Sequence, residues 1–150
     1  MVTTVGTESD LKSLVTDFIQ LEHDAIAAYR VCIDRLEAPH RKERVQEFLA
    51  DHERHLSELE DVARAVGASI PDATSAKSML TTGKVKLADM TGGDATILRA
   101  MSTNETDTVT AYERGMKHAE LDVGQRAVFE RAHSDEQQHK AWMESEAQAG

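Results

Sequence analysis

One pattern decides the fold, first as Glu22-His23-Asp24-Ala25-Ile26-Ala27-Ala28-Tyr29 and again as Glu105-Thr106-Asp107-Thr108-Val109-Thr110-Ala111-Tyr112. Both runs read Glu-x-Asp-x-(Ile/Val)-x-Ala-Tyr. A second echo follows at nearly the same offset, Asp51-His52-Glu53-Arg54-His55 and then Asp135-Glu136-Gln137-Gln138-His139. Each half of the chain thus carries a glutamate and, further on, two metal-capable side chains three residues apart. This repetition indicates two similar helical hairpins.

The composition indicates one helical domain over residues 1–150. The chain is long enough to bury a substantial core, and only two prolines and eight glycines interrupt it. Its frequent Ala, Glu, Leu, Lys and Arg favour helix over sheet. A net charge of -10 argues against nucleic acid as a partner, because a protein surface that binds nucleic acid must neutralise its phosphates.

Several absences point to a cytoplasmic protein without a membrane span. The N-terminus has neither a basic segment nor an apolar segment of the kind found in signal peptides. No stretch approaches the roughly 18 consecutive apolar residues of a membrane-spanning helix. The single cysteine, Cys32, excludes an intramolecular disulfide and is expected to be buried as a small apolar side chain.

Hydrophobic periodicity predicts four helices after a flexible tail at residues 1–7. The first begins at a capping box formed by Thr7 and Asp10, with Ser9 as the competing cap, and ends before Pro39. The other three are predicted at about 41–66, stopped by Gly67, at about 95–118, capped by Asp94, and at about 125–147. The fold class is therefore all-α, an antiparallel four-helix bundle.

The connection between the second and third helices, residues 68–94, is long. Its length suits a crossover that runs from one end of the bundle to the other and contains a short helix from Ala76 to about Met90. A disordered linker between two helical hairpins is the alternative. If Met79, Leu80 and Val85 form an exposed apolar stripe, they would contribute to a homodimer.

Six residues with metal-capable side chains take core positions in the helical stripes. A buried carboxylate or imidazole without a partner is costly, so these side chains require a cation or a proton. Residues at i and i+3 on a helix share one face and can reach one site. We therefore predict a site for two divalent metal ions, held by Glu22, His52, His55, Glu105, Glu136 and His139.

The second helix departs from the Glu-x-x-His pattern of the fourth, since His52 stands where a glutamate is expected. An imidazole cannot bridge two ions as a carboxylate does, which leaves Glu136 as the main bridging ligand. Glu53 or Asp51 is a further candidate acid if the helix is rotated. Iron is the first choice of metal, with manganese and zinc as alternatives, because imidazole-rich sites also suit zinc, copper or nickel.

Other residues are predicted to support the site. Asp51 and Asp135, each just before a metal-binding pair, are expected to accept a hydrogen bond from a ligating histidine. Tyr29 and Tyr112 are expected either to hydrogen-bond a carboxylate or take part in redox chemistry, or to be ordinary core tyrosines. His133, three residues before Glu136, is a weaker candidate ligand.

These residues resemble the ferritin-like superfamily of di-iron carboxylate bundles over about residues 8–147. The resemblance lies in Glu22, Glu105, the Asp135-Glu136-x-x-His139 run and the altered Asp51-His52-x-x-His55 run. The layout is also similar to that of a little-characterised bacterial four-helix-bundle family of unknown function. The resemblance to the ferritin-like superfamily implies a ferritin-like fold and a metal centre, but no particular substrate. His52 departs from the superfamily pattern.

The resemblance implies chemistry with O₂ or peroxide, because superfamily members include ferroxidases, peroxidases and oxygenases. The leading hypothesis is therefore an oxidoreductase, either a ferroxidase or a peroxide-detoxifying protein. The chain has no Cys-x-x-Cys pair, which excludes full rubrerythrin-type chemistry. Two alternatives are a metal-binding bundle without turnover and a metal-free bundle that acts as a stress-related binding protein.

Overall fold

The computed structural model describes residues 3–73, 87 and 90–150, and these form four long helices. They are α1 (Leu11–Arg35), α2 (Pro39–Val66), α3 (Asp94–Gly115) and α4 (Val123–Ala149). The all-α bundle is confirmed, with no strand in the described ranges. Helix α1 packs against α2 and α3, and α4 packs against the same two helices. None of the helices in these ranges is both long enough and apolar enough to cross a membrane.

The two hairpins are joined from opposite ends of the bundle. Gly67, just after α2, lies near Lys12 at the start of α1, whereas Met90 accepts a hydrogen bond from Arg35 at the end of α1. The two ends of the connection therefore lie at opposite ends of the bundle, as the predicted crossover requires. The short helix predicted from Ala76 to Met90 and the stripe of Met79, Leu80 and Val85 fall outside the described residues, Leu87 and Met90 excepted.

The start of α1 differs from the prediction. Asp10 is the N-cap, and its carboxylate accepts a hydrogen bond from the backbone N–H of Ser13 at 2.9 Å. The predicted Thr7 capping box and the competing Ser9 cap are therefore wrong, because Thr7 donates instead to the backbone carbonyl of Thr4. The predicted stop of α2 is confirmed, since Gly67 has a left-handed backbone (φ 73°) and bonds back to Ala63.

Asp94 was predicted to cap α3, but its carboxylate bonds instead to the backbone that precedes α2. Asp94 is the first residue of α3, and Gly93 precedes it as the N-cap. Its carboxylate accepts the backbone N–H groups of Glu37 (2.8 Å) and Ala38 (3.1 Å), the two residues just before α2. The start of α3 is thus tied to the segment that leads into α2.

The segment before α1, which was predicted as a flexible tail, packs against α3 from residue 3 onwards. Val5 is buried, the backbone N–H of Thr3 donates to Asp107, and Arg114 donates to the carbonyl of Thr3. A side chain at Gly6 would lie 2.7 Å from the backbone oxygen of Ala111, so the segment approaches α3 closely.

The apolar core forms two clusters, one toward each end of the bundle. One cluster contains Leu14, Phe18, Leu59 and Phe129, and the other contains Cys32, Phe48, Met101 and Met143, among others. Cys32 is fully buried, as predicted. Between the clusters, at mid-height, all four helices turn polar side chains inward.

Candidate metal centre

All six predicted ligands are buried and meet in the polar layer between the two apolar clusters. None is more than 2% exposed. Their atoms form two groups, and within each group the candidate ligand atoms lie within 4.8 Å of one another. The first group contains Glu22, His52, His55 and Glu136, and the second contains His52, Glu105, Glu136 and His139. His52 and Glu136 belong to both groups.

The imidazole of His52 contacts the two groups through different nitrogens. Its Nδ1 lies 2.7 Å from Glu22 Oε2, in the first group. Its Nε2 lies 3.4 Å from Glu136 Oε1 and 3.8 Å from Glu105 Oε1, toward the second group. The histidine that replaces the expected glutamate therefore lies centrally between the carboxylates, although it breaks the sequence pattern.

Each remaining histidine is held by an aspartate from the opposite hairpin. His55 Nε2 lies 2.9 Å from Asp135 Oδ2, and its Nδ1 lies 3.4 Å from oxygens of both Glu22 and Glu136. His139 Nε2 lies 2.8 Å from Asp51 Oδ2. Such a carboxylate fixes the orientation and tautomer of an imidazole and leaves the other nitrogen facing the site.

Each of the two tyrosines likewise contacts a glutamate of the opposite hairpin. Tyr112 of α3 donates its hydroxyl to Glu22 Oε1 of α1 at 2.5 Å, and Tyr29 of α1 donates to Glu105 Oε1 of α3. Tyr29 also lies 3.3 Å from His139 Nδ1. The predicted hydrogen bonds to carboxylates are thus present, and both rings are fully buried.

Thr108 is a polar neighbour that sequence reasoning missed. Its hydroxyl lies 3.0 Å from Glu136 Oε2 and 3.1 Å from Glu105 Oε2, and it is buried. The available signal was its place three residues after Glu105, on the same helical face. Its counterpart in the first repeat is Ala25, so the repeat did not point to it.

The weaker candidate ligands lie outside both groups. Glu53 is exposed, because the neighbour of an inward-facing residue on a helix points about 100° away. His133 is half-buried and one helical turn from Glu136, out of the layer. Asp51 and Asp135 contact His139 and His55, two of the candidate ligands, and are not in the groups themselves.

The buried carboxylates and histidines balance each other's charge when the histidines are protonated. Burial by itself would raise the pKa of Glu22, but the positive charges of His52 and His55 outweigh it and lower that pKa to about 2. Burial lowers the pKa of His52, but Glu136 and Glu22 raise it well above its usual value. Burial and the neighbouring charge of Glu136 raise the pKa of Glu105 to about 7. Imidazolium and carboxylate thus neutralise each other in the layer.

The residues present fit a pair of divalent ions. Within the described part of the chain, His52 Nε2, His55 Nδ1 and Glu136 Oε1 are buried side-chain atoms without a hydrogen-bond partner. Buried polar atoms are rarely left so, and each of these faces the interior of the layer. Imidazole nitrogens and carboxylate oxygens together suit zinc, manganese and iron.

Comparison with known proteins supports the fold and names no activity. The structure is similar to that of a conserved hypothetical protein, rv2844, from Mycobacterium tuberculosis. The two share 20% sequence identity at a TM-score of 0.70, over 88% of this chain and 93% of that chain. At this identity the likeness shows the fold alone. No curated protein matches the sequence.

One family model matches the chain directly. It covers residues 10–118, which include α1, α2 and α3 and four of the six residues of the polar layer. The matched part is more than half of the 150 residues. The chain therefore belongs to the family described as Domain of unknown function (DUF2383).

Proposed function

We propose that this protein is a ferritin-like di-metal protein whose buried layer binds two divalent cations. One observation carries the proposal: six acidic and imidazole side chains from all four helices converge in two groups that share two members. A single buried histidine is usually a hydrogen-bonded core residue. Six such residues that replace apolar side chains at the same height, with inward-facing atoms left unpartnered, are typical of a metal centre.

The two groups suggest how the ligands are divided. Glu22 and His55 would hold one ion, Glu105 and His139 the other, and the shared Glu136 would contact both. Because the two nitrogens of His52 face different groups, this residue joins the two halves of the site. Iron is the metal we propose first, with manganese and zinc as alternatives.

Redox chemistry with O₂ or peroxide is the activity that we propose, either oxidation of Fe²⁺ or removal of peroxide. Bound cations of this kind bind and polarise an oxidant and stabilise developing negative charge. The chain's own residues orient and shield the site. Asp51 and Asp135 hold the two histidines, the tyrosines hold two glutamates, and the apolar clusters exclude water.

A second candidate function is metal binding without turnover. It is favoured by the compensation of charge in the protonated layer, where His52 lies between Glu22 and Glu136 as an internal counter-ion. A bundle of this kind would use the ions for stability or for sensing. Its melting temperature would rise when metal binds, and it would not react with O₂ or peroxide.

The experiment that separates the two begins with metal-free protein loaded anaerobically with Fe²⁺. Elemental analysis gives the number of bound ions, and admission of O₂ or peroxide is followed by ferric absorbance. His139→Ala should lose bound metal, whereas His133→Ala, on the same helix but outside the layer, should not. Bound Fe²⁺ that stays unoxidised would favour the second function. Absence of bound metal would refute the site.

A further inference from the structure

We propose that cations reach the buried layer between α2 and α4, and that Arg54 controls this access. The inference rests on the proposed metal centre. The access region, named here the α2–α4 seam, consists of Asp51, Arg54 and Asp135.

The seam is where groups open to solvent contact the ligating histidines directly. The side chains of Asp51 and Asp135 are 35% and 23% exposed, and each lies within 2.9 Å of a histidine that is almost fully buried. Toward the two ends of the bundle, the layer is covered by apolar clusters. A cation that passes through the seam meets carboxylates first and imidazoles next. These polar contacts make the seam a more favourable route than the apolar ends of the bundle.

Arg54 lies across this seam and contacts both aspartates. Its Nη2 donates to Asp135 Oδ2 and lies 3.6 Å from Asp51 Oδ1, while its Nε lies 3.6 Å from Glu58 Oε1. The guanidinium therefore occupies the carboxylates that an arriving cation would use. Its side chain is half exposed, so it can swing into solvent without disturbing the core.

Buried atoms next to the seam, in the polar layer, lack a hydrogen-bond partner and indicate a ligand there. His55 bonds to Asp135 through Nε2, and its other nitrogen, Nδ1, is buried without a hydrogen-bond partner, as is Glu136 Oε1 at 3.4 Å from it. The seam thus connects a partly exposed carboxylate to buried atoms that lack a hydrogen-bond partner in the described structure. Acidic residues alone would not establish such a route.

The internal repeat gives Arg54 no charged counterpart. Asp51, His52 and His55 correspond to Asp135, Glu136 and His139, whereas Arg54 corresponds to the exposed Gln138, which carries no charge. The two outer aspartates are equivalent, and only one half of the repeat provides an arginine across them. Arg54 therefore serves the seam, where it excludes cations until it is displaced and keeps Asp135 directed at His55.

The test compares Arg54→Gln with Arg131→Gln in the full-length protein. Arg131 is the matched control, since it pairs with Glu58 at 2.6 Å, is similarly exposed and contacts neither aspartate. Zn²⁺ is mixed with metal-free protein in a stopped-flow instrument, and a chromophoric chelator reports free metal. We expect Arg54→Gln to take up Zn²⁺ several-fold faster than the wild type, with unchanged stoichiometry. Arg131→Gln should match the wild type.

The salt dependence and the equilibrium binding distinguish the possible failures. The uptake rates of the wild type and Arg54→Gln should depend differently on ionic strength, because removal of one charge changes the field at the seam. Equal rates for Arg54→Gln and the wild type, or equal acceleration by both substitutions, would overturn the role of Arg54. Failure of every protein to bind Zn²⁺ at equilibrium would instead overturn the metal centre and the route with it.

A second measurement needs no metal. Hydroxyl-radical footprinting of the metal-free protein reports solvent access at individual side chains. We expect Arg54→Gln to raise oxidation of His55 and His139, with exposed His40 as the internal reference. Arg131→Gln should leave all three unchanged. Unchanged protection of both buried histidines in Arg54→Gln would contradict a seam that Arg54 closes.

Discussion

Tyr112 of α3 donates its hydroxyl to Glu22 of α1 over 2.5 Å, and the equivalent Tyr29 of α1 donates to Glu105 of α3. The two outer aspartates cross in the same sense, since each holds a histidine of the other hairpin. The duplicated runs of the sequence thus pair with each other across an approximate internal two-fold. A candidate ligand from one hairpin is held by a residue of the other, so the arrangement of the polar layer requires both hairpins.

The crossed tyrosines should each stabilise the fold through a buried bond to a carboxylate. We expect Tyr112→Phe to reduce the free energy of unfolding by about 1.5–3 kcal/mol, the usual range for a hydrogen bond to a charged group. Urea denaturation measures the loss. In a double-mutant cycle with Glu22→Gln, Tyr112→Phe should show stronger coupling than Tyr29→Phe does. Equal coupling of both tyrosines to Glu22 would contradict the crossed arrangement.

The division of ligands predicts the stoichiometry of binding. His55→Ala and His139→Ala each remove a member of one group, so each should lower the number of bound ions from two to one. Glu136→Gln removes a shared ligand and should weaken both sites. Titration calorimetry with elemental analysis measures these numbers. Loss of both ions in His55→Ala, with Glu136→Gln unaffected, would contradict this division.

The stability of the metal-free protein should fall as the pH rises from about 5 to about 8. The pKa of Glu105 is raised to about 7, so its contribution is present below its unfolded value of 4.5 and is lost as the pH rises through 7. The raised pKa of His55 adds a contribution that is present below 6.5 and lost at higher pH. Glu22, with its pKa lowered to about 2, contributes above 4.5 and loses this only in acid.

Glu105→Gln isolates the contribution of the Glu105 carboxyl group to this pH dependence. The variant lacks the carboxyl group, so its free energy of unfolding should change less between pH 4.5 and pH 7 than that of the wild type. One group contributes at most about 1.4 kcal/mol per pH unit. Urea denaturation at a series of pH values measures both slopes. Identical slopes in the two proteins would show that Glu105 does not hold its proton in the folded state.

Replacement of His52 by glutamate should make the bundle depend on metal. His52→Glu restores the Glu-x-x-His pattern, but it removes the imidazole that lies between Glu22 and Glu136. The metal-free variant should unfold at a markedly lower temperature, because four buried carboxylates then repel each other. Added Mn²⁺ or Zn²⁺ should raise its melting temperature more than that of the wild type. His133→Glu, outside the layer, should show neither effect.

Gly115 allows the close approach of two aromatic rings at one end of the bundle. A Cβ at this position would lie 2.7 Å from Phe18 and 3.1 Å from Phe129, both fully buried. Gly115→Ala should therefore destabilise the protein by about 1–3 kcal/mol through overpacking. Gly124→Ala, in the first turn of α4 with its nearest contact at 3.6 Å, should be neutral or stabilising. Thermal unfolding of the two variants measures the difference.

Periodicity along the sequence determined much of this protein. A 3.6-residue repeat places an apolar side chain on one face of each helix, and it identified Glu22, His52, His55, Glu105, Glu136 and His139 as inward-facing. That inference is local, because the direction of a side chain around its own helix follows from its spacing. The helical class and the inward position of these residues were therefore predictable.

Only the tertiary structure decided which residues meet. The crossed Tyr112–Glu22 and Asp135–His55 pairs, the two-sided contacts of His52 and the position of Arg54 depend on how far each helix is rotated and shifted against its neighbours. The bonds from Glu37 and Ala38 to Asp94 are of the same kind. Spacing within one helix carries no information on that rotation and shift, which the packing of the two apolar clusters sets.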